Sequence, residues 1–369
     1  MKVKTVLHVT RRIKGGAGNA SIRVHQSLLN NNIDSKLLIL WPEESKISHY
    51  SFYLWAKKNQ KVRVFIYQLL SKLKLYKIFF NGFYQSILDI HEHPEVQKAD
   101  IIIFHQVDNF INARKFLRKT SDKIIYWRCP DFQPIAGYPY PNQLSWIWKG
   151  VRFPEKFKWV FTTETAQHIA LSQIPALSKK NVLTIPNIIP ENIIKSVKQN
   201  SKARDKTIVF ISVNIYDERK GLQRVLDIWP TLEMKGYRLE IIGEHNNVTS
   251  QNPQIIYHGS MSSEKILEIL SRSSFLITPA KNEMFGQTSI EALIFGTPVI
   301  STPTIGAMDI ISEGVNGIFI KEKDEFSNPN SVLEAIMKFE LIEWNNAEIM
   351  KVSRDKYHED KSLIYLNNF

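Results

Sequence analysis

The chain is poor in cysteine: Cys129 stands alone, which excludes an intrachain disulfide framework and fits a reducing compartment. No Asp-x-Asp occurs, and no His/Cys cluster has metal-ligand spacing, so the usual patterns of a metal-held diphosphate are missing. No stretch reaches the roughly 18 uninterrupted apolar residues of a membrane span. The opening MKVKTVLHVT lacks the apolar run and small-residue cleavage site of a signal peptide and reads as a first strand. The expectation is a cytoplasmic protein that does not cross a bilayer. Another absence is local. Between residues 45 and 88 there is no Asp or Glu, while Lys46, Lys57, Lys58, Lys61, Arg63, Lys72, Lys74 and Lys77 supply eight positive charges, in a chain whose net charge is +12. Such a field seeks an anionic surface.

What is present is the pattern of a globular protein with two cores. A length of 369 residues is long for one core, and 43% hydrophobic with 23% charged residues is ordinary for a globular protein. Apolar strands alternate with helical patterns: VKTVLHV, SKLLIL, ADIIIFH, DKIIYWR and KWVFTT in the first half, then TIVFISV, YRLEIIG, SFLITPA, PVIST and GIFI. Strand–helix alternation with apolar strands predicts parallel sheets covered on both faces. The polar run NSKARDK at 200–206 reads as a linker. The expected organisation is a first domain over 1–199 carrying a basic, aromatic insertion at about 45–88, a second over 200–345, and a helical segment over 346–369 returning to the first domain. The fold class is α/β, two doubly wound Rossmann-like domains.

Three stretches carry candidate chemistry. Gly15-Gly16-Ala17-Gly18 lies between the first strand and first helix, where glycines let backbone N–H groups approach an anion; a tight turn would use them equally well. Arg219 and Lys220 precede Gly221 after the strand TIVFISV, at the strand end where α/β sheets bind ligands; a solvated turn is the plainer alternative. NEMFGQTSIEALIFGTPVIST at 282–302 places Glu283 and Glu291 eight positions apart. On one continuous helix they would stand about 80° apart. Glu283 before the helix and Glu291 inside it would flank the Phe285-Gly286-Gln287 backbone, leaving room for a diphosphate while each acid accepts hydroxyl hydrogen bonds. Acids merely complementing a helix dipole explain Glu291 poorly, since Ala-Leu follows it on an apolar helix.

The last stretch resembles the E-x7-E segment of retaining GT-B-fold glycosyltransferases of family 4. RKG at 219–221, GGAG at 15–18, IPN at 185–187 and IGAMDIISEGVNGIFI, with Asp309 in an acid's place, are similar to further segments of that family. The resemblance implies two domains facing a cleft and a nucleotide-sugar donor as substrate, with no cofactor and no metal. It implies that Glu283 sits against the donor sugar, Glu291 against the ribose, and Phe285, Gly286, Gln287 and Gly16 against the donor. Arg219 and Lys220 would neutralise the leaving diphosphate, making Glu283, Arg219 and Lys220 the catalytic set. IIYWRCPDFQPIAG resembles W-T-x-H-D-x-W-P-x-T-G of polysaccharide-building members: Asp131, Pro134 and Gly137 match, and Pro130 replaces the family's histidine. Asp131, His105 and Gly15 are then candidates on the acceptor or sugar side, with His105 a substitute for the missing histidine or an ordinary strand-end residue.

The implied reaction is transfer of a hexose-type sugar with retention, the departing phosphate oxygen taking the acceptor's proton, in surface polysaccharide synthesis. Val62, Phe65, Ile66, Leu69, Leu70, Leu73, Tyr76 and Phe80 recur at helical spacing inside the basic insertion. Cations flanking an apolar stripe describe a helix at an anionic membrane surface and suit a lipid-linked glycan acceptor; an apolar core face under solvated lysines is the alternative. No motif accompanies the charge to suggest nucleic acid. The rivals are a sugar-nucleotide epimerase of the same fold and, through Pro130, a weakly catalytic scaffold.

Overall fold

A computed structural model describes residues 4–13, 15–41, 48–72, 88–107, 111–132, 134–135, 148, 151–197, 204–245, 250–321 and 328–367. Gly137, the insertion beyond Lys72, and 200–203 of the expected linker lie outside the described residues. The chain forms two compact units, Met1–Ile188 together with Glu359–Phe369, and Ile189–His358.

In the first unit the apolar runs become β1 (Val6–Thr10), β2 (Ser35–Ile39), β3 (Tyr50–Ser51), β4 (Ile101–Phe104), β5 (Ile124–Cys129), β6 (Phe157–Phe161) and β7 (Val182–Thr184). They pair in parallel in the order β3-β2-β1-β4-β5-β6-β7. VLHVT and IIIF are buried along their whole length, as strands covered on both faces must be. Register puts His8 beside Ile103 and Ile103 beside Tyr126. Since side chains alternate, one face runs from Val6, Ile101 and Ile124 through that row to Thr10, His105 and Arg128. It grades from apolar to polar towards the carboxyl ends. Val24 and Leu28 of the helix Gly16–Asn30, together with Tyr365, close its apolar part.

The second unit has β8 (Asp205–Asn214), β9 (Arg238–Glu244), β10 (Ile255–Tyr257), β11 (Ser273–Thr278), β12 (Val299–Ser301) and β13 (Gly317–Phe319). They are parallel in the order β10-β9-β8-β11-β12-β13. The strand order reverses between β1 and β4 in one sheet and between β8 and β11 in the other. Loops at the carboxyl ends of such pairs form the ligand-binding positions of open α/β sheets.

Two boundaries differ from the sequence reading. The units divide at 188/189 rather than 199/200, because Ile189, Ile194 and Val197 pack into the second unit's core. The helix Asn346–Tyr357 stays with that unit through Ile349 and Tyr357, and only Glu359–Phe369 rejoins the first. There the Ser27 hydroxyl donates to the Glu359 carbonyl at 2.9 Å. After Gly221 the chain forms two short helices, Leu222–Asp227 and Trp229–Met234, with Pro230 in the first turn of the latter, a position where the missing N–H is not needed.

Candidate active site

In the second unit, chain geometry brings the loops after β8 and β11 together. Asp217 caps the turn Glu218–Lys220 by accepting the Arg219 N–H at 3.1 Å. Gly221 then adopts φ +76°, and a Cβ there would lie 2.2 Å from the Pro279 carbonyl oxygen, so no other residue fits without displacement. The Lys281 N–H donates to the Arg219 carbonyl at 2.7 Å, stitching one loop to the other. The outcome is an ion pair joining positions 63 apart: Lys220 Nζ stands 2.7 Å from Glu283 Oε2. Both side chains keep about a third of their surface in solvent, at 32% and 35%.

Glu283 is held from two further directions. Its Oε1 accepts the Gly286 N–H at 3.4 Å, and its carbonyl accepts the Gly306 N–H at 3.0 Å. Gly286, at φ +83°, turns the chain into the helix Gln287–Leu293. Glu291 is buried inside that helix, and its Oε1 accepts from Gln287 Nε2 at 3.3 Å. Phe285 points its ring into the core, leaving its backbone at the site. Lys220, Glu283, Gly286, Gln287 and Glu291 therefore assemble along one loop–helix edge.

Arg219 is turned elsewhere. Its guanidinium grips Asp217 with Nε to Oδ1 at 3.0 Å and Nη2 to Oδ2 at 2.7 Å. That hydrogen-bonded pairing holds the Asp217 carboxyl below its ordinary range. Sequence reading passed over Asp217; the Asp-x-Arg spacing inside YDERKG was the signal, since a two-residue step lets a carboxylate cap a turn and hold the arginine that the turn presents.

The first unit's reversal point is of another kind. Arg11 N–H donates to the Gln106 carbonyl at 2.7 Å, joining the loops after β1 and β4. His105 is buried, with Nε2 3.0 Å from Nδ1 of His8. The His25 ring stands edge-on to His8 at 5.7 Å, and His25 Nδ1 lies 2.8 Å from the Ser35 hydroxyl. Burial first, and then neighbouring ring and guanidinium charge, push His8 and His105 well below the ordinary histidine range, so both are neutral imidazoles. His25 is lowered to about 4 by burial. The signal for this cluster was a polar ring in mid-strand, in VLHVT, where a buried strand otherwise carries apolar residues.

Gly15 opens the first helix at φ +85°, whereas a Cβ at Gly16 would meet nothing within 4 Å. Gly18 is the glycine required by packing, since its Cβ would lie 2.5 Å from the Ile13 backbone. Asp131 sits half-buried beyond Pro130. Arg128, on the same sheet face as His105, is buried and donates to the Tyr365 hydroxyl and the Asn187 side-chain oxygen. Asn187 of the IPN segment is therefore a structural tie to β5. Among the described residues, no three His, Cys, Asp or Glu side chains converge as metal ligands.

Comparison with known proteins places these observations. The family model "Glycosyl transferases group 1" matches residues 194–352, within the second unit. An uncharacterized 41.2 kDa protein in the cps region of Klebsiella pneumoniae is 21% identical over 92% of this chain and 91% of its own length. The capsular polysaccharide biosynthesis glycosyltransferase CapM of Staphylococcus aureus is 27% identical over 45% of this chain and 49% of its own. Among solved structures, S. aureus TarM, crystallised with fondaparinux, alpha-GlcNAc-glycerol and UDP, superposes with a TM-score of 0.64 at 11% identity, covering 99% of both chains. Anabaena HepE in complex with UDP and glucose gives 0.59 at 14% identity over 98% of both. The two parallel sheets, their reversal points and these likenesses give the chain the GT-B fold, with a second unit that matches the group 1 glycosyl transferase model over residues 194–352.

Proposed function

We propose that the protein transfers a hexose-type sugar from a nucleotide-sugar donor to a lipid-linked glycan acceptor, with retention of configuration and without a metal, in surface polysaccharide synthesis on the cytoplasmic side of a membrane. The observation that carries this reading is Lys220 poised on Glu283 at the β8/β11 reversal, with Glu291 behind the same helix start. A cation paired to a carboxylate in partial solvent can exchange that carboxylate for a diphosphate oxygen at small cost. Glu283, released, then accepts hydroxyl hydrogen bonds from the sugar, and Glu291 those from the ribose. Lys220, and Arg219 once freed from Asp217, stabilise the charge that develops as the diphosphate leaves. No second carboxylate is hydrogen-bonded to Glu283 among the described residues, which favours attack on the face the nucleotide leaves, its phosphate oxygen taking the proton. A relative from a cps region, a capsular polysaccharide biosynthesis glycosyltransferase and structural neighbours crystallised with UDP support the substrate class.

In the first unit, His105, Asp131 and Gly15 are assigned to the acceptor or sugar side, and Gly16 to the donor. His105 takes the task of the histidine absent at Pro130, from the carboxyl end of β4, where its ring is paired with His8.

The test couples binding with turnover. Calorimetry with nucleoside diphosphates should show binding to the wild type that Glu291→Ala lowers at least tenfold with its circular dichroism unchanged. Nucleotide sugars alone should be only slowly hydrolysed; an epimerised product formed without acceptor would overturn the transferase reading.

A further inference from the structure

The acid-free stretch of the first unit has no task in the transfer chemistry. Its helices Phe52–Asn59 and Lys61–Lys72 are fastened on one side: Phe52, Ala56 and Val64 are buried. Gln60 between the helices donates to the Asp89 carbonyl at 2.8 Å and accepts the Asp89 N–H at 3.0 Å.

The other side is open. At about 100° per residue, Phe65, Leu69, Val62, Ile66 and Leu70 follow one another around the second helix within an arc of about 140°. Val62 is 71% exposed, Phe65 64% and Leu69 44%. Lys61 and Lys72 border the arc on one side and Arg63 on the other. Leu54 of the preceding helix is exposed as well. Soluble surfaces seldom leave so many large apolar side chains together in water.

The cations identify what covers this face. Arg63 is already matched by Glu92 at 3.3 Å and Asp89 at 3.9 Å. Lys58, Lys61 and Lys72 have no carboxylate within ion-pair distance among the described residues. With no acid between positions 45 and 88, nothing on the stretch repels an anionic plane.

We propose that this face docks on an anionic lipid bilayer. The helix Lys61–Lys72 lies in the plane of the interface, with Val62, Phe65 and Leu69 at the acyl boundary and Lys58, Lys61 and Lys72 among the headgroups. The inference deepens the transferase reading by bringing the enzyme to the surface where a lipid-linked acceptor resides.

The experiment uses the full chain and co-sedimentation with vesicles of phosphatidylcholine alone or mixed with phosphatidylglycerol. Partition should be strong only with the anionic vesicles and should fall steeply with added salt. Replacing Lys58, Lys61 and Lys72 together by Gln should lower it about a hundredfold, since each cation near such a surface is worth about fivefold. Phe65→Asp should lower it at least tenfold, and Arg63→Gln should change it little. Wild-type indifference to phosphatidylglycerol, or Phe65→Asp and the triple variant partitioning like wild type, would overturn the proposal. So would a concentration-dependent dimer in sedimentation velocity that Phe65→Asp abolishes without any vesicle binding, because a second copy would then cover the face. Nucleoside diphosphate affinity, measured on the same samples, should not move; its absence from the wild type would remove the transferase reading while leaving the membrane result to stand.

Discussion

At the β8/β11 reversal, charge stands opposite charge near the surface, Lys220 on Glu283 and Arg219 on Asp217. At the β1/β4 reversal, two imidazoles share a hydrogen bond under cover, His8 to His105. The difference is one of exchangeability. Exposed ion pairs contribute roughly 0.2–1 kcal/mol, so a diphosphate can take over their cations without a large penalty. Buried neutral rings cannot be charged without leaving the low-dielectric interior, so the first unit offers fixed donors and acceptors rather than movable charge.

The largest break in this comparison comes from removing the exchangeable cation. Lys220→Ala should lower kcat by about a hundredfold to a thousandfold, corresponding to roughly 2.7–4 kcal/mol of transition-state stabilisation, in a turnover assay with a nucleotide-sugar donor. Melting temperature should barely change, because the pair it breaks is partly exposed.

Next comes acid. The folded values of His8 and His105 lie well below the ordinary histidine value of 6.5, and that of His25 is about 4. Above pH 6.5 these rings are neutral folded and unfolded, so they add no pH dependence. As pH falls below 6.5, the unfolded chain takes up protons that the folded chain refuses, and stability declines by up to about 1.4 kcal/mol per pH unit for each ring. For His25 the decline ends near its folded value of about 4. Urea titrations at pH 7 and pH 5 should show the first unit weakening, and His8→Phe should flatten the slope. An unchanged slope would sever the cluster from acid sensitivity.

The smallest effect sharpens the comparison. Asp217→Asn frees Arg219 for the diphosphate and should tighten nucleoside diphosphate binding about twofold to fivefold, in line with the worth of an exposed ion pair. In an Arg219→Ala background the same change should be silent by calorimetry.

Fold was legible in the sequence because it rests on local signals. Runs such as IIIF and VLHVT can only be strands buried on two faces, and the E-x7-E stretch folded as expected, with Gly286 opening the helix and Glu291 inside it. What could not be read were encounters across the chain: Lys220 with Glu283, His8 with His105, Arg128 with Tyr365. Each depends on strand order, which a residue's neighbours do not encode. Arg219 and Lys220 looked equivalent as adjacent cations, and only the capped turn at Asp217 separates their directions. The boundary near 189 was obscured because its apolar residues suit either core, whereas the polar run at 200–206 looked like a linker.

The return of Glu359–Phe369 to the first unit orders the assembly of the chain during synthesis. All of Ile189–His358 is available to fold before the last segment emerges from the ribosome. The first unit, although begun earlier, waits for Tyr365 to fill its core and to meet the hydroxyl-seeking guanidinium of Arg128. The second unit can thus be completed first, and a nascent chain shortened before Tyr365 would carry that unit finished while the core of the first lacked its closing ring.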